Sequence, residues 1–382
     1  MSDQLLHHEI TNTQHDAISA LMEKLTTRAY AGHTQNTNLQ EDLNLLHAHG
    51  WLVACAPVEE GGLGLGYQTA SLALATDFLF RLGGANLALG RLFEGHANAC
   101  KLVYMLATPN QARIVWRQIA QGAFMGVWGA DGHHPVVLDT HTGIPHLSGQ
   151  KAFCSGLDSV TLAIVSASSP SGLQLILADV TDPTRADASQ WQLSGMQATR
   201  SGTYDFENLP ESRFTLLGAQ DAYYNEPHFL GGQWRYLALY AGCLCAIAQA
   251  VSTHLRALSR PASDVELMRL ARIVALTKQA QLWAESIAYD TEFAANPNAG
   301  IHAVLGREQV EHACLEAIAL AERTVGTRAF TLGTRLEQLC RDLRTYLRQA
   351  ALDQRLVDAG QNLLSLNPTS QAFKMQCGAA VV

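Results

Sequence analysis

Charge is scarce in this chain. Asp, Glu, Lys and Arg make up 16% of its 382 residues, where about 25% is usual for a globular protein. Hydrophobic residues make up 48%. What charge there is runs negative, with 34 acidic and 26 basic residues and a net of -8. Lys and Arg form no cluster. That balance argues against a nucleic-acid binder, which needs a basic patch to offset phosphate. So lean a charged surface also implies that another subunit covers part of it, in a homodimer or homotetramer.

Paired cysteines are missing too. The eight cysteines are scattered, and none forms a CxxC pair. Cys243 and Cys245 stand two apart in an apolar helical stretch, poor geometry for sharing a metal. Buried free thiols in a reducing compartment are the expectation. His133 and His134, in "ADGHHP", have only Asp131 nearby, so no metal site is expected. The N-terminus has neither a basic segment nor an apolar core, so it does not read as a signal peptide. No stretch of about 20 residues is uninterruptedly apolar, so no membrane span is expected. These readings place the protein in the cytoplasm. The common catalytic signatures GxSxG and HExxH are absent. "EEGGLGLG" is not a phosphate-binding P-loop, because no Lys-Ser/Thr follows it.

What is present is a clear change of pattern along the chain. Residues 1–120 read as helices. "NLQEDLNLLHAHG" puts Leu39, Leu43 and Leu46 on one face and stops at Gly50. "YQTASLALATDFLFRLGG" reads as a second helix with a double-glycine stop, and "NLALGRLFEGHANACKLVYMLA" as a third. Residues 121–216 are β-rich, with "VTLAIVSAS" and "LQLILADVT" joined by the turn "SPSG". Residues 217–382 return to four long helical runs, the last being "RLEQLCRDLRTYLRQAALDQRLVDAGQNLL". The expected fold class is multi-domain α+β: an N-terminal α-helical domain, a middle antiparallel β domain and a C-terminal four-helix bundle.

Four short stretches on this layout resemble the acyl-CoA dehydrogenase superfamily of flavoproteins. They are "APVEEGGLGLG", "GQKAFCSG", "SGMQATRSGTYDFENLPES", and "VGTRAF" followed by "RLEQLCRDLR". Their order matches across residues 45–364. The resemblance implies FAD. It puts Phe153 beside the flavin ring, Ser155 as a hydroxyl near the reactive nitrogen, and Trp128 where a small hydroxyl residue is usual. It puts Arg256 or Arg260 on the pyrophosphate of a neighbouring subunit's cofactor. Gly326 and Thr327 fall at the close backbone approach, and Arg323 where it could pair with phosphate. It also implies a small-molecule substrate, an acyl thioester among the candidates, although no CoA-specific motif is present.

One departure matters most. A dehydrogenase of this kind removes an α-proton with a carboxylate base facing the flavin. In "RDLRTYLRQAALDQ" the matching position is Ala350, and no Glu follows Glu337. The alternative base position, one residue before Arg235, is Trp234; Arg235 itself is the substrate-side candidate. Asp353 lies about a helical turn beyond Ala350. "FCSG" also resembles the superfamily's flavin monooxygenases, which need no abstracting glutamate. They need a polar residue over the ring, and His96, amid Gly95, Ala97 and Ala99, is the candidate. A hydrogen-bonded core histidine is the competing reading. A non-catalytic member that lost its base is the third functional alternative.

Overall fold

The computed structural model describes residues 12–31, 39–141, 143–294, 296, 298–348, 351–370 and 373. The chain divides into two compact units. One comprises residues up to 75 together with 88–225, and the other residues 76–87 together with those from 226 on. Compactness therefore follows two units, whereas the sequence pattern marks three zones.

In the first unit, α1 (Asn12–Ala31), α2 (Gln40–Ala48) and α3 (Trp51–Ala54) precede α4 (Leu72–Ala85), whose first turn belongs here. α5 (Leu87–Leu106) and α6 (Pro109–Ala120) follow. Leu39, Leu43 and Leu46 are buried as their spacing requires, and Gly50 after α2 is left-handed at φ +79°. α6 begins with a capping box between Thr108 and Gln111, with Pro109 in the first turn.

Nine strands follow: β1 (Met125–Trp128), β2 (Val137–Asp139), β3 (His146–Ser148), β4 (Gln150–Lys151), β5 (Leu162–Ser169), β6 (Gly172–Asp179), β7 (Ala186–Asp187), β8 (Thr203–Asp205) and β9 (Phe214–Leu217). One sheet runs β3-β2-β5-β6-β9 with β1 beside β5, and a smaller one runs β4-β8-β7. The large sheet is mixed. β1 and β2 both run parallel to β5, while β5, β6 and β9 are antiparallel neighbours. This corrects the expectation of a purely antiparallel domain. β5 is central, so its residues from Leu162 to Ala167 are buried whichever way they point. Burial on both faces explains a continuous apolar run where alternation would mark a half-exposed strand.

The second unit holds α7 (Trp234–Arg256), α8 (Asp264–Glu292), α9 (Ala299–Val325), α10 (Arg335–Tyr346) and α11 (Leu352–Ser365), with α4 from Thr76 on. Two expectations change here. The Gly83-Gly84 pair does not stop α4, which runs to Ala85. It makes room for α7 instead: a Cβ on Gly83 would lie 2.1 Å from the Leu239 carbonyl oxygen. The fourth run is also two helices. α10 ends at Tyr346, and α11 begins after Ala351, which is left-handed at φ +55°. Gln349 and Ala350 lie outside the described residues. The segment Gly231–Arg256 is long and apolar enough to cross a membrane by length and composition alone, and 67% of its most apolar window is buried.

Candidate functional site

The quoted stretches of the β region meet at the exit of β1 and the turn after β4. Trp128, the last residue of β1, is buried against Tyr204 with ring centroids 5.5 Å apart. Its indole N–H donates to the Ser155 carbonyl oxygen at 3.2 Å. Between β4 and Ser155 the chain passes through Phe153, which takes a left-handed φ of +53°. Such a conformation costs a non-glycine residue about 1–2 kcal/mol. Backbone bonds on either side hold it. Ala152 N–H donates to the Ala130 carbonyl at 2.9 Å, and Cys154 N–H to the Gly202 carbonyl at 2.8 Å. Gly156 completes the turn at φ +79°, where a Cβ would press on Val160 at 3.0 Å and Leu92 at 3.2 Å.

The turn carries the Phe153 ring outward. Phe153 is 68% exposed, and Trp191 meets it edge-on with centroids 6.5 Å apart. Met196 and Arg200, on the segment behind, are likewise left-handed non-glycines. Strained backbone gathered around an exposed aromatic marks a place built for a partner rather than for packing.

Behind Ser155 runs a chain of hydroxyls. Ser201 donates to the Ser155 hydroxyl at 3.1 Å, and Ser201 and Thr199 lie 2.9 Å apart. Thr199 reaches the Met196 carbonyl at 2.8 Å. Ser201 and Thr199 are buried and Ser155 is half-buried. Because Ser155 accepts from within, its own proton can serve an acceptor outside.

Three carboxylates near this turn have a cation. Asp131 pairs with Lys151 at 2.5 Å, Glu94 with Arg91 at 2.7 Å, and Asp158 with Arg200. Burial pushes the Lys151 ammonium below its ordinary pKa, and Asp131 pulls it part of the way back. Burial raises the Tyr204 phenol to about 12 and the Cys154 thiol well above its usual range. Among the described residues, no group of three or more His, Cys, Asp or Glu is placed to hold a metal ion.

His96 is fully buried. Its Nδ1 accepts the Met125 N–H at 3.1 Å, which places the ring proton on Nε2, 3.1 Å from the Leu52 carbonyl. The ring also stacks on Phe124 with centroids 5.0 Å apart. Both nitrogens are spent on backbone, so the competing core reading replaces a polar residue over a cofactor.

The second unit holds the remaining candidates. Arg235 is 1% exposed and pairs with Glu292 at 3.0 Å. Glu292 also accepts the Trp234 indole N–H at 3.1 Å. Arg235 is thus an interior ion-pair partner, with its Nε buried and without a hydrogen-bond partner among the described residues. Arg260 is held in two bonds by Glu266, at 2.9 and 2.7 Å. Arg256 is exposed at the end of α7, with its Nε 3.5 Å from the Ser252 hydroxyl. Arg323 and Thr327 are exposed around the end of α9, and Gly326 turns the chain there at φ +71°. Asp353 sits in the first turn of α11.

A cavity of about 470 Å³ opens in the first unit beyond the Asp158–Arg200 pair, lined also by His47, Phe124 and Thr161 among others. Trp128, Phe153 and Ser155 take no part in it. The sequence quoted the Phe153 and Ser155 stretch for its chemistry, but Trp191, Thr199 and Lys151 were missed. Ser201 and Thr199 lie inside a quoted motif, "QATRSGTYDF", and Trp191 had no signal beyond being one of six tryptophans.

The whole chain can be laid over solved flavoproteins. A complex of TdsC from Paenibacillus sp. A11-2 with FMN and indole matches 94% of this chain and 98% of its own, with a TM-score of 0.76 and 18% identity. KijD3 in complex with FMN and a dTDP-linked amino sugar matches 94% and 95%, with a TM-score of 0.74 and 19% identity. At this level of identity the likeness shows a shared fold, one consistent with the acyl-CoA dehydrogenase-like layout expected from the sequence. By sequence, dibenzothiophene monooxygenase of Rhodococcus erythropolis is 30% identical over 193 residues, which is 47% of this chain and 45% of the relative. The match therefore spans less than half the length of the curated relatives. No family model matches. The exposed Phe153 ring, the Trp191 edge and the half-buried Ser155 hydroxyl fit a planar, hydrogen-bonding ring system such as a flavin.

Proposed function

We propose that this protein is a flavin-dependent monooxygenase acting on a small, largely apolar molecule. The observation that carries the reading is that the superfamily's base positions hold no carboxylate here, while Asp131, Glu94 and Asp158 near the Phe153–Ser155 turn are each paired with a cation. Proton abstraction from an acyl thioester needs a carboxylate free to accept it, and Asp131, Glu94 and Asp158 are each committed to a cation. At the superfamily's two base positions this sequence has Ala350 and Trp234. Oxygenation needs no such base.

The flavin, when bound and reduced, supplies two electrons to O2. One oxygen atom goes to the substrate and the other leaves as water. The residues of this chain hold and shield it. Phe153 and Trp191 would lie against the ring, the Ser155 hydroxyl would donate to one of its acceptors, and Trp128 with Met125 and Val160 would give a dry wall. We take the flavin to be FMN. Neighbours in this fold hold FMN, and of the two arginines offered for the pyrophosphate of FAD, Arg260 is already engaged by Glu266, while Arg256 is exposed. If FAD binds, Arg323, Gly326 and Thr327 would be its adenine-side contacts.

The similarity to dibenzothiophene monooxygenases supports a fused aromatic substrate. The seven described cysteines are all free, which supports a reducing, cytoplasmic setting. A homodimer or homotetramer is part of the same reading.

The test is oxygen consumption by the protein with photoreduced FMN, with and without dibenzothiophene or indole, and mass analysis of the product. Substrate-dependent consumption and a product heavier by one oxygen atom are expected. Bleaching of the bound flavin by an acyl-CoA, with no oxygenated product, would overturn the reading in favour of dehydrogenation.

A further inference from the structure

The "GQKAFCSG" stretch contains a residue that the functional reading does not use. Lys151 is 1% exposed, and its ammonium has three acceptors: Asp131 Oδ1 at 2.5 Å, the Ser166 hydroxyl at 2.9 Å and the Gly129 carbonyl at 3.2 Å. An ammonium has three protons, so each is placed. The acceptors come from different parts of the sheet system. Gly129 and Asp131 lie just past the end of β1, immediately after Trp128. Ser166 is on β5, one residue beyond Val165, the register partner of Trp128. Lys151 itself ends β4, two residues before Phe153.

We propose that Lys151 is the positioning residue of the flavin-facing turn: its buried ammonium ties β4 to the exit of β1 and to β5, and so sets Trp128 and the Phe153–Ser155 turn in one fixed relation. The inference rests on the flavin reading.

Three features support it. First, burying an ammonium is unfavourable unless charge and hydrogen bonds compensate, and here burial does lower its pKa. An apolar residue would fill the space without that cost, so the ammonium must give something packing does not, namely a fixed direction to three acceptors. Second, the neighbouring backbone repeats the tie. Asp131 and Lys151 form an isolated antiparallel bridge, and Ala152 N–H bonds the Ala130 carbonyl at 2.9 Å. Third, Phe153 next to this tie is left-handed, a conformation that persists only where its surroundings over-determine it. The tetrahedral set also separates Lys from Arg. A planar guanidinium cannot direct three protons at Asp131, Ser166 and Gly129 in this arrangement.

The experiment compares Lys151→Met and Lys151→Arg with Gln174→Met, a control on β6, in the large sheet that also carries Ser166. The Gln174 amide bonds the Leu217 and Gly218 carbonyls, away from the turn. Two readouts are taken: FMN affinity with the visible circular dichroism of the bound flavin, and near-ultraviolet circular dichroism of the flavin-free protein. Both Lys151 variants should weaken FMN binding by about 10-fold or more, the scale of losing a supporting shell. They should also alter both spectra, while Gln174→Met lowers the melting temperature and leaves spectra and affinity as in wild type. Should Lys151→Met not fold, Asp131→Ala and Ser166→Ala each remove one acceptor and should move the same readouts in the same direction. Wild-type affinity and spectra in the Lys151 variants would overturn the proposal. So would equal changes in Gln174→Met, which would reduce Lys151 to general stability. A wild type that binds neither FMN nor FAD would overturn the flavin reading instead, and the flavin-free spectra would still decide whether Lys151 sets the turn.

Discussion

Trp128 and Ser155 are joined by one hydrogen bond, from the indole N–H to a main-chain carbonyl 3.2 Å away. Through it the end of β1 holds the turn that presents Phe153. The indole packs on Tyr204 and braces the turn as a strut.

Trp128→Phe keeps the ring contact with Tyr204 and removes the strut. The loss of one neutral hydrogen bond is about 0.5–1.5 kcal/mol. FMN affinity should fall by up to about 10-fold, with the protein still folded. Fluorescence titration of FMN measures it, and unchanged affinity would count against the strut.

Straight-chain acyl-CoA substrates with an artificial electron acceptor should turn over slowly or not at all. A missing general base costs about 10²–10⁴-fold. Turnover within the ordinary enzyme range of about 1–10³ per second would mean that a carboxylate outside the paired set reaches the flavin.

The start of α8 should be acid-sensitive. Glu266 accepts two bonds from Arg260 and closes a capping box with Ser263. These contacts, Arg260 first, hold its carboxyl well below the ordinary value of 4.5. A group whose folded pKa is depressed contributes stability above its unfolded pKa and loses it as pH falls through the folded one. Melting temperatures from about pH 7 to about pH 3 should therefore fall less steeply for Glu266→Gln than for wild type. Parallel curves would show that the cap is not formed in solution.

His96→Ala should unfold the protein rather than disable its chemistry. It strands the Met125 N–H and the Leu52 carbonyl in the interior, at about 1–3 kcal/mol each. A chemical denaturation midpoint well below wild type is expected. A stable variant that binds FMN and has lost oxygen consumption would restore His96 as a catalytic candidate.

In solution the protein should be at least a dimer. Leu267, Met268, Val274 and Leu282 along α8 are each more than half exposed, an apolar display that isolated chains seldom tolerate. Sedimentation velocity at micromolar concentration checks it, and a clean monomer would contradict it.

Much of the architecture was legible in the residues. The run "VTLAIVSAS" could only be a buried strand, and Leu39, Leu43 and Leu46 could only share a helix face. Other features were not legible, because the same residues have two uses. Gly83-Gly84 looks like a helix stop, but with α7 against it the missing Cβ atoms serve close approach. "RLEQLCRDLRTYLRQAALDQRLVDAGQNLL" keeps helical spacing throughout, and spacing does not reveal a left-handed Ala351. The mixed sheet was hidden for a similar reason: a strand buried on both faces looks the same whichever direction its neighbours run.

By itself, the sequence determined the order of helical and β regions and the stretch "GQKAFCSG". It also determined the lack of a glutamate at either familiar base position. These are local facts, set by periodicity and residue type. Tertiary structure alone decided which polar groups are spent. It closed His96 between two backbone groups, paired Arg235 with Glu292, tied Lys151 to three acceptors and joined the Ser155 hydroxyl to Ser201. A hydrogen-bond partner far away in sequence leaves no mark on the spacing of either residue, so only the folded chain reveals which groups remain to act.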